Sequence, residues 1–559
     1  MGKQTEAQAV KREYHDQKTA QVASFVDGLK AHGTKSGTFD SAAAIDFVTE
    51  ATNRTGYVPE KLQIVLDEAG EHKGIILDSI NRGIAAYETA HGCNVPADVV
   101  EQAIHLAYAT TVDVRKKISL DSASSLHQDN LSLQPNRAVV AIIPAISEAI
   151  PFAHYLPTDI GSNEAKLAIM SHIAKDTYGS YLSGGSMDGI TSGNRYASAK
   201  RVHKCAVDGA GAFTGKITVK QTDEITCDAA AAVPPLLRGR SIVKVNGVPV
   251  AREVSQSGTG NSAISGSVTI GSTTYLIAGS INTDTGVIAG TTTPAIPNTT
   301  PIVVEAVIDY ERNPALVPSI ITNVDVYSLY ASPWRVNTFA SIDGRTQMSN
   351  ELNLDPYSES VITIQAQYAN ERHYNVIYDA KQLAAQNTVA YNFEWSTRSA
   401  QMNRSAIWLD FALPLGVASQ NMAINTMNHG ITHLYVGKNI AAQWAALPPE
   451  LFQPSGISER PGIYRVGRLF GKYEVYYTPK GVTEAADGST AEILCIGRAT
   501  DVTRNPFVLG DAYSPVVMPL AVGADLNQGA GFYARNFTEV NPHIPSALGC
   551  ALITLTGLK

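Results

Sequence analysis

Hydrophobic rhythm changes several times along the chain. Over residues 1–134 the apolar positions recur at helical spacing, as in Ile75, Ile76, Ile80 and Ile84 within the run from Lys73 to Ala90. Two prolines mark helix starts. Pro59 precedes the run from Glu60 to Ala69, and Pro96, behind Asn94, precedes the run from Ala97 to Ile104. Ser122 to Gln134 reads as a polar linker. Beyond it, Ala138 to Ile143 is a short apolar run bounded by Asn136 and Pro144, which predicts a buried strand. Tyr178 to Tyr196 is rich in Gly and Ser and predicts an exposed, extended loop.

The pattern then turns to period two. Short β runs, such as Ser267 to Ile270 and Thr274 to Ile277, alternate with Gly- and Asn-containing turns, and Ile302 to Ile308 closes the series. Between Val254 and Val304 the chain has one charged residue, Asp284, and one aromatic, Tyr275. These features predict a small antiparallel β-domain over 205–310, inserted in a larger fold. Its β-branched alternation argues against a disordered Ser/Thr/Gly tract.

The strongest helical signal begins at Asp355-Pro356, an acidic cap before a proline suited to the first helical position. Ile362, Ala366, Ala369, His373, Val376, Ala380 and Leu383 form a single stripe, which predicts a helix to about Ala385 with that stripe against a core. Further on, helices are predicted over Gly416 to Asn428 and Asn439 to Leu447. A strand is predicted over Thr432 to Val436, and a hairpin from Tyr464 to Tyr477 turns near Gly471. Later strands fall at Ile493 to Gly497 and Ala551 to Thr556. The order is α+β, without regular βαβ alternation.

Charge and chemistry narrow the function. Charged residues make up 17% of the 559 residues, against roughly 25% in an average soluble protein. So sparse a charge suits a surface covered by other subunits. The net charge of −8 excludes a broadly basic, nucleic-acid-coating surface. The start Met1-Gly2-Lys3-Gln4-Thr5-Glu6 has no apolar core of a secretory signal, and Glu6 breaks a myristoylation pattern. No apolar run approaches the ~18 residues of a membrane span. Five separated cysteines make neither a disulfide framework nor a CxxC pair, which fits a reducing compartment.

Catalytic signatures are weak throughout. No Gly-Lys pair precedes Ser or Thr, so there is no P-loop. Gly258-Thr259-Gly260 reads as a turn, and Gly184 to Asp188 misses the nucleophile elbow because Asp188 stands where the last Gly belongs. His429 and His433 lack the Glu of a zincin and read as structural. His203 and Cys205 with Cys227 offer three metal-ligand types without a fourth. Asp223-Glu224 point to opposite faces if extended. Arg115-Lys116-Lys117, the group Lys200, Arg201 and Lys204, and the pair Arg238 and Arg240 are modest basic clusters that suit solvated faces or contacts with acidic neighbours or packaged nucleic acid. No cofactor, metal or catalytic residue is expected.

The order of parts resembles a major capsid protein of tailed bacteriophages with the Hong Kong 97-type fold, in the T-even-like myovirus branch. The resemblance rests on the helix from Pro356, similar to that family's spine helix, and on Tyr464 to Tyr477, Ser514 to Leu520 and Phe532 to Asn536, similar to its closing strands. Ile277 to Gly286 also resembles a hairpin repeat common in phage structural insertions. It covers about 135–559 at the level of element order. It implies a helical N-terminal arm (1–134), a strand and extended loop (135–204), the inserted β-domain (205–310), a peripheral domain with the spine helix (311–390), an axial α+β domain (391–530) and C-terminal strands returning to the peripheral domain (531–559). It further implies a non-enzymatic structural protein of the virion. Such a chain self-assembles in the host cytoplasm into hexamers and pentamers of an icosahedral head enclosing double-stranded DNA, with scaffold, portal and decoration proteins as partners. Val48-Thr49-Glu50-Ala51 resembles the sites cut by that branch's maturation proteases, which makes Glu50 and Ala51 the candidate processing site. Two other classes fit the composition: a tail-sheath or baseplate component, and a hydrolase with a remote triad.

Overall fold

A computed structural model describes residues 2–34, 39–109, 142–158, 164–221, 231–352, 356–520 and 527–559. The chain divides into two compact units, one made of Met1–Ile169 with Val326–Lys559, the other of Met170–Asp325. It leaves the first unit along the strand Glu164–Ala174 and returns along Ile320–Tyr330, and these two strands pair.

In the first unit a seven-stranded mixed sheet lies between two helical layers. Its order runs Thr388–Asn392, Cys550–Thr556, Ala491–Ile496, His433–Val436, Tyr473–Tyr477, Tyr464–Leu469, Phe452–Pro454. Both faces are covered, so its central strands read as unbroken apolar runs rather than alternations. Leu434, Val436, Ile493 and Cys495 face one core with Trp408, Phe411, Leu415 and Trp444. Tyr435, Leu494 and Ile496 face the other, with Val376, Ile377 and Ala380 of the helix Pro356–Ala384. The N-terminal helices join that second core. Val22, Phe25 and Leu29 of Gly2–Gly33, Ile76 and Ile80 of Lys73–His91, and Val99 and Ala103 of Ala97–Tyr108 are all buried in it.

Pro356–Ala384, called the long helix below, has 29 residues and so runs ~44 Å. Its C-terminal half packs on the seven-stranded sheet. Its N-terminal half packs on a second, four-stranded sheet, where Ile364 and Tyr368 meet Phe532 and Ala534. That sheet is built on the antiparallel pair Phe507–Pro519 and Asn527–Val540, with Ser332–Ser341 along the far side of the latter. The expected stripe holds only in the second half of the long helix. In the first half Ile362 is 59% exposed, and the buried line runs through Ile364, Tyr368 and Arg372. An arginine on a core face is invisible to a hydrophobic pattern. Here an ion pair to Asp511, 2.9 Å away, makes its burial tolerable. The cap expected from Asp355 lies outside the described residues.

A second expectation, the strand over Ala138 to Ile143, fails in its described part, since Ile142 and Ile143 are helical in a run to residue 147. Ile142 and Ile146, four apart, bury one face in the helical core. Ala138 to Ala141 and the linker Ser122 to Gln134 lie outside the described residues.

The second unit is a closed barrel. Its nine-stranded sheet begins with Lys200–Lys204 and ends with Ala206–Val207. These two edge strands are consecutive in the chain, one residue apart, so the sheet closes on itself. Closure leaves no long open edge. The interior is Ile- and Val-rich, with Val243, Ile264, Ile277, Ile281, Ile288 and Val304 all buried. Asn261–Ile270 and Thr273–Asn282 form a hairpin longer than the short runs read from sequence. The unit spans Met170–Asp325, wider than 205–310, and Lys200–Lys204 is one of its own strands.

The Tyr178–Tyr196 segment is a loop, but a pinned one. Tyr178, Tyr181 and Tyr196 are buried against one another edge-to-face. Gly179 has φ +58°, and a Cβ there would stand 1.9 Å from the Arg195 carbonyl oxygen, so only glycine fits.

Candidate functional site: the buried junction and the surfaces around it

In the first unit, the N-terminal helices meet the sheets at a buried polar junction. Asp98 lies buried in the first turn of the helix Ala97–Tyr108. One carboxylate oxygen accepts from the backbone N–H of Tyr155 at 2.9 Å and lies 3.1 Å from His154 Nδ1. The other accepts from Arg498 Nη2 at 3.1 Å. Burial alone would raise this carboxyl. The neighbouring His154 and Arg498 and the two hydrogen bonds outweigh it and hold it well below the usual carboxylate range. Arg372 is raised although burial opposes it, because Asp511 lies against it.

Beside this network lies a cluster of histidines and tyrosines. His373 Nε2 is 2.9 Å from Tyr435 Oη, and His91 Nδ1 is 3.0 Å from Tyr476 Oη. Phe152 stands edge-on to Tyr435, Phe507 and His433. Burial pushes His373 and His433 down to about 3 and His91 to about 4, with nearby cations adding to the last two. All three are neutral at physiological pH. None of these pairs was legible in sequence, since the partners lie up to 400 positions apart. Asp98 itself reads as an ordinary first-turn acid of the helix Ala97–Tyr108, so nothing local marks it as buried.

The residues singled out from sequence fall at separate places. His433 sits on the central sheet with Nδ1 2.7 Å from Thr432 Oγ1, and burial pushes His429 down to about 4. His203 is buried in the barrel beside Thr218, and Cys205 is buried in the barrel core. Cys227, Asp223, Glu224 and Arg115-Lys116-Lys117 lie outside the described residues. Among the described residues no group of three or more His, Cys, Asp or Glu is placed to hold a metal ion. Gly258-Thr259-Gly260 is a turn whose Thr259 carbonyl accepts from Arg238 at 2.8 Å. Asp188 folds back on the strand before it, accepting from the backbone N–H of His172 at 2.8 Å. The basic group is divided: Lys200 pairs with Glu305 at 2.5 Å, whereas Arg201 is fully buried over the Tyr178 ring.

Glu50 and Ala51 lie at a break between the helices Ser41–Thr49 and Ala51–Gly56. Glu50 has φ −59° and ψ 126°, outside the helical region. Both residues are exposed, whereas Val48 is buried in the helical core.

Among the described residues no helix is long and apolar enough to cross a membrane. No protein-family model and no curated protein matches the chain. Several solved structures resemble it. The jumbo bacteriophage PhiKZ capsid is 10% identical, with 79% of this chain and 94% of that chain covered and a TM-score of 0.34. A structure from Microbacterium phage Oxtober96 is 13% identical over 43% of this chain and 77% of that one, with a TM-score of 0.29. The holo-SrpI encapsulin complex from Synechococcus elongatus is 12% identical over 43% and 78%, with a TM-score of 0.26.

Proposed function

We propose that this chain is the major capsid protein of a tailed bacteriophage. In this reading it is a non-enzymatic subunit of Hong Kong 97-type fold, close to the T-even-like branch, forming hexamers and pentamers of an icosahedral head around double-stranded DNA. The observation that carries the reading is the long helix, which spans two sheets of one unit and holds both through buried contacts. A shell subunit needs such a strut across its wall. It also needs extended elements with unpartnered apolar residues for its neighbours, and Tyr330 and Phe339, 65% and 64% exposed on long strands, suit that role. The long helix is the spine of the peripheral domain, the seven-stranded sheet with its helices is the axial domain, and the barrel is an insertion facing outward. Scaffold, portal and decoration proteins are the further partners, and assembly takes place in the host cytoplasm.

Electron microscopy of the purified chain, alone or with a scaffold, tests this. Closed shells or hexameric and pentameric rings are expected. Tubes would favour a tail-sheath component, and a catalytically active monomer would end the reading.

Processing after Glu50 belongs to the same proposal. The exposed break presents the bond, but an extended substrate would draw Val48 out of its core. Cleavage is therefore expected before that core is complete, during assembly. Mass spectrometry of mature particles should find an N-terminus at Ala51, and an intact Gly2 would exclude it.

A further inference from the structure

The helix Glu60–Ala69 carries a lysine where its own field disfavours one. Lys61 stands in the first turn, at the positive end of the helix dipole, where an acidic residue such as the adjacent Glu60 is the stabilising choice. Lys61 is also half-buried, in the wall of a cleft of about 450 Å³ that the helices Gly2–Gly33 and Ala97–Tyr108 complete. That is space for a small organic molecule. Val22, Val58 and Ile104 give the cleft apolar surface, and Lys18, Glu60 and Glu101 border it with Lys61. Two ammonium groups thus face two carboxylates, so the cleft favours neither sign of ligand charge. Thr55 and Gly56 on its rim are exposed, and a Cβ on Gly56 would meet nothing, so this side is open.

The partner of Lys61 decides its chemistry. Its Nζ lies 2.6 Å from His105 Nδ1, and His105 Nε2 lies 2.8 Å from the Thr158 carbonyl oxygen. A carbonyl only accepts, so Nε2 carries the ring proton. Nδ1 of the neutral ring then offers its lone pair, and the Lys61 ammonium donates to it. The ring is held at both nitrogens and is 4% exposed. Moving the proton from Nζ to Nδ1 leaves a neutral amine beside an imidazolium whose Nε2–H still donates to Thr158. Burial, and after it Lys18, hold the Lys61 ammonium below the usual lysine range, and the opposing pull of Glu101 and Glu60 does not outweigh them. Glu101, one turn before His105 on the same helix, is the carboxylate that balances a cation on Nζ.

We propose that Lys61 is a nucleophilic amine that captures small uncharged aldehydes in this cleft as a Schiff base, with His105 as its proton acceptor. His105 takes a proton from the ammonium, and the freed Nζ lone pair attacks the carbonyl carbon. The proton returns to the former carbonyl oxygen, giving a carbinolamine. His105 then removes a second proton from nitrogen and delivers it to the hydroxyl, which leaves as water while the nitrogen lone pair closes the C=N bond. Ammonium and aldehyde become iminium and water, with His105 regenerated, and no oxidant or reductant is consumed. The iminium keeps the single positive charge that Glu101 balances. This activity is independent of the shell reading and survives its failure.

The test is reductive alkylation of the full-length chain with propanal and cyanoborohydride, followed by peptide mass spectrometry. At pH 7 Lys61 should react at least about tenfold faster than the exposed Lys166 and Lys204 of the same chain. Its rate should also level off at a lower pH than theirs. Equal rates, or parallel pH profiles, would overturn the proposal, and neither measurement needs a variant. H105Q keeps an acceptor for Lys61 and a donor for Thr158 but takes up no proton. It should keep its thermal transition and slow the Lys61 reaction about tenfold. An H105Q chain that reacts as the parent does would show that His105 only ties the helices together, and would overturn its role. Glyoxylate, an aldehyde bearing a carboxylate, should lose the preference for Lys61 over the exposed lysines; a stronger preference than with propanal would overturn the choice of an uncharged ligand.

Discussion

The barrel and the seven-stranded sheet solve the problem of burying a β-sheet in opposite ways. The barrel curls until its first and last strands are neighbours in the chain, so one inner face of Ile, Val and Ala suffices. Between Val254 and Val304 its outer face stays polar yet almost uncharged, and a strand such as Asn261–Ile270 alternates exposed and covered positions. The open sheet must be covered twice, and it uses large aromatics on both sides: Trp408 and Trp444 on one, Tyr435 and Tyr476 on the other. Two cores converging on one sheet also trap polar groups. Asp98, Arg498, Arg372 and Asp511 are each matched within the junction. The barrel buries ions too, but matches them on neighbouring strands and nearby carbonyls, with Glu305 paired to Lys200 and Lys244 and Arg201 donating to Ser198 and Val219, whereas the layered junction matches ions up to 400 positions apart.

The largest expected effect follows from that difference. Asp98→Ala leaves Arg498 and His154 buried without their carboxylate, which should cost the first unit about 3–5 kcal/mol. Its denaturation midpoint should fall while the barrel's stays put. A loss under 1 kcal/mol would mean that water reaches Arg498 and that the junction is not dry. Ile281→Ala in the barrel removes a fully buried side chain but strands no charge. It should cost about 2–4 kcal/mol, confined to the second unit.

The same contrast governs what could be read from the sequence. Period-two alternation without charge announced the barrel, but its first strand was missed. Lys200–Lys204 looks like a basic surface run, and nothing local says that Arg201 is buried over Tyr178. The helices starting at Glu60, Lys73 and Ala97, the span of the long helix and the closing hairpin were legible from proline starts and spacing. The first half of the long helix was not, because its buried line passes through Arg372, and only the fold brings Asp511 to it. Ile142 and Ile143 fold as helix rather than strand because a short apolar run has no period long enough to separate the two. The helix Ala412–Thr426 was legible as a helix; its exposed apolar residues depend on which positions the sheet leaves outside.

Acidification should separate the units more gently. His373, His433 and His91 are held neutral in the first unit, at about 3 to 4. In the unfolded chain they take up protons below about 6.5. The unfolded state therefore binds more protons, and stability falls as pH drops from about 6.5 toward 4. Each contributes ~2 kcal/mol of loss at pH 5, as an upper bound. Asp98, also held low, works in the same sense, but its contribution is lost only as pH falls through the carboxylate range; Glu148, pushed up to about 7 by burial, works in the opposite sense and offsets part of the histidine loss. In the barrel Glu305 is lowered, as the pairs to Lys200 and Lys244 outweigh its burial, so that contribution too persists down to the carboxylate range. Melting curves between pH 7 and 5 should show the first unit's midpoint falling faster, with H373F reducing the slope. A flat first-unit midpoint would show that these histidines are hydrated.

The smallest expected effect is the most informative about the boundary. Lys175 N–H donates to the Ser319 carbonyl at 3.0 Å, so the two ends of the inserted segment lie side by side. A short Gly/Ser linker in place of 176–318 can bridge them without straining the paired strands Glu164–Ala174 and Ile320–Tyr330. A cut at 210 and 305 is different, because it removes most of the strand paired with Lys200–Lys204 and leaves its buried Arg201 and His203 on a bare edge. The wider excision should abolish the barrel's transition and shift the first unit's midpoint by less than about 1 kcal/mol, since no residue of the barrel core belongs to either core of the sheet. Calorimetry of the full and excised chains measures both. A large loss in the first unit would show that the two units fold as one and that the barrel is not a separable insertion.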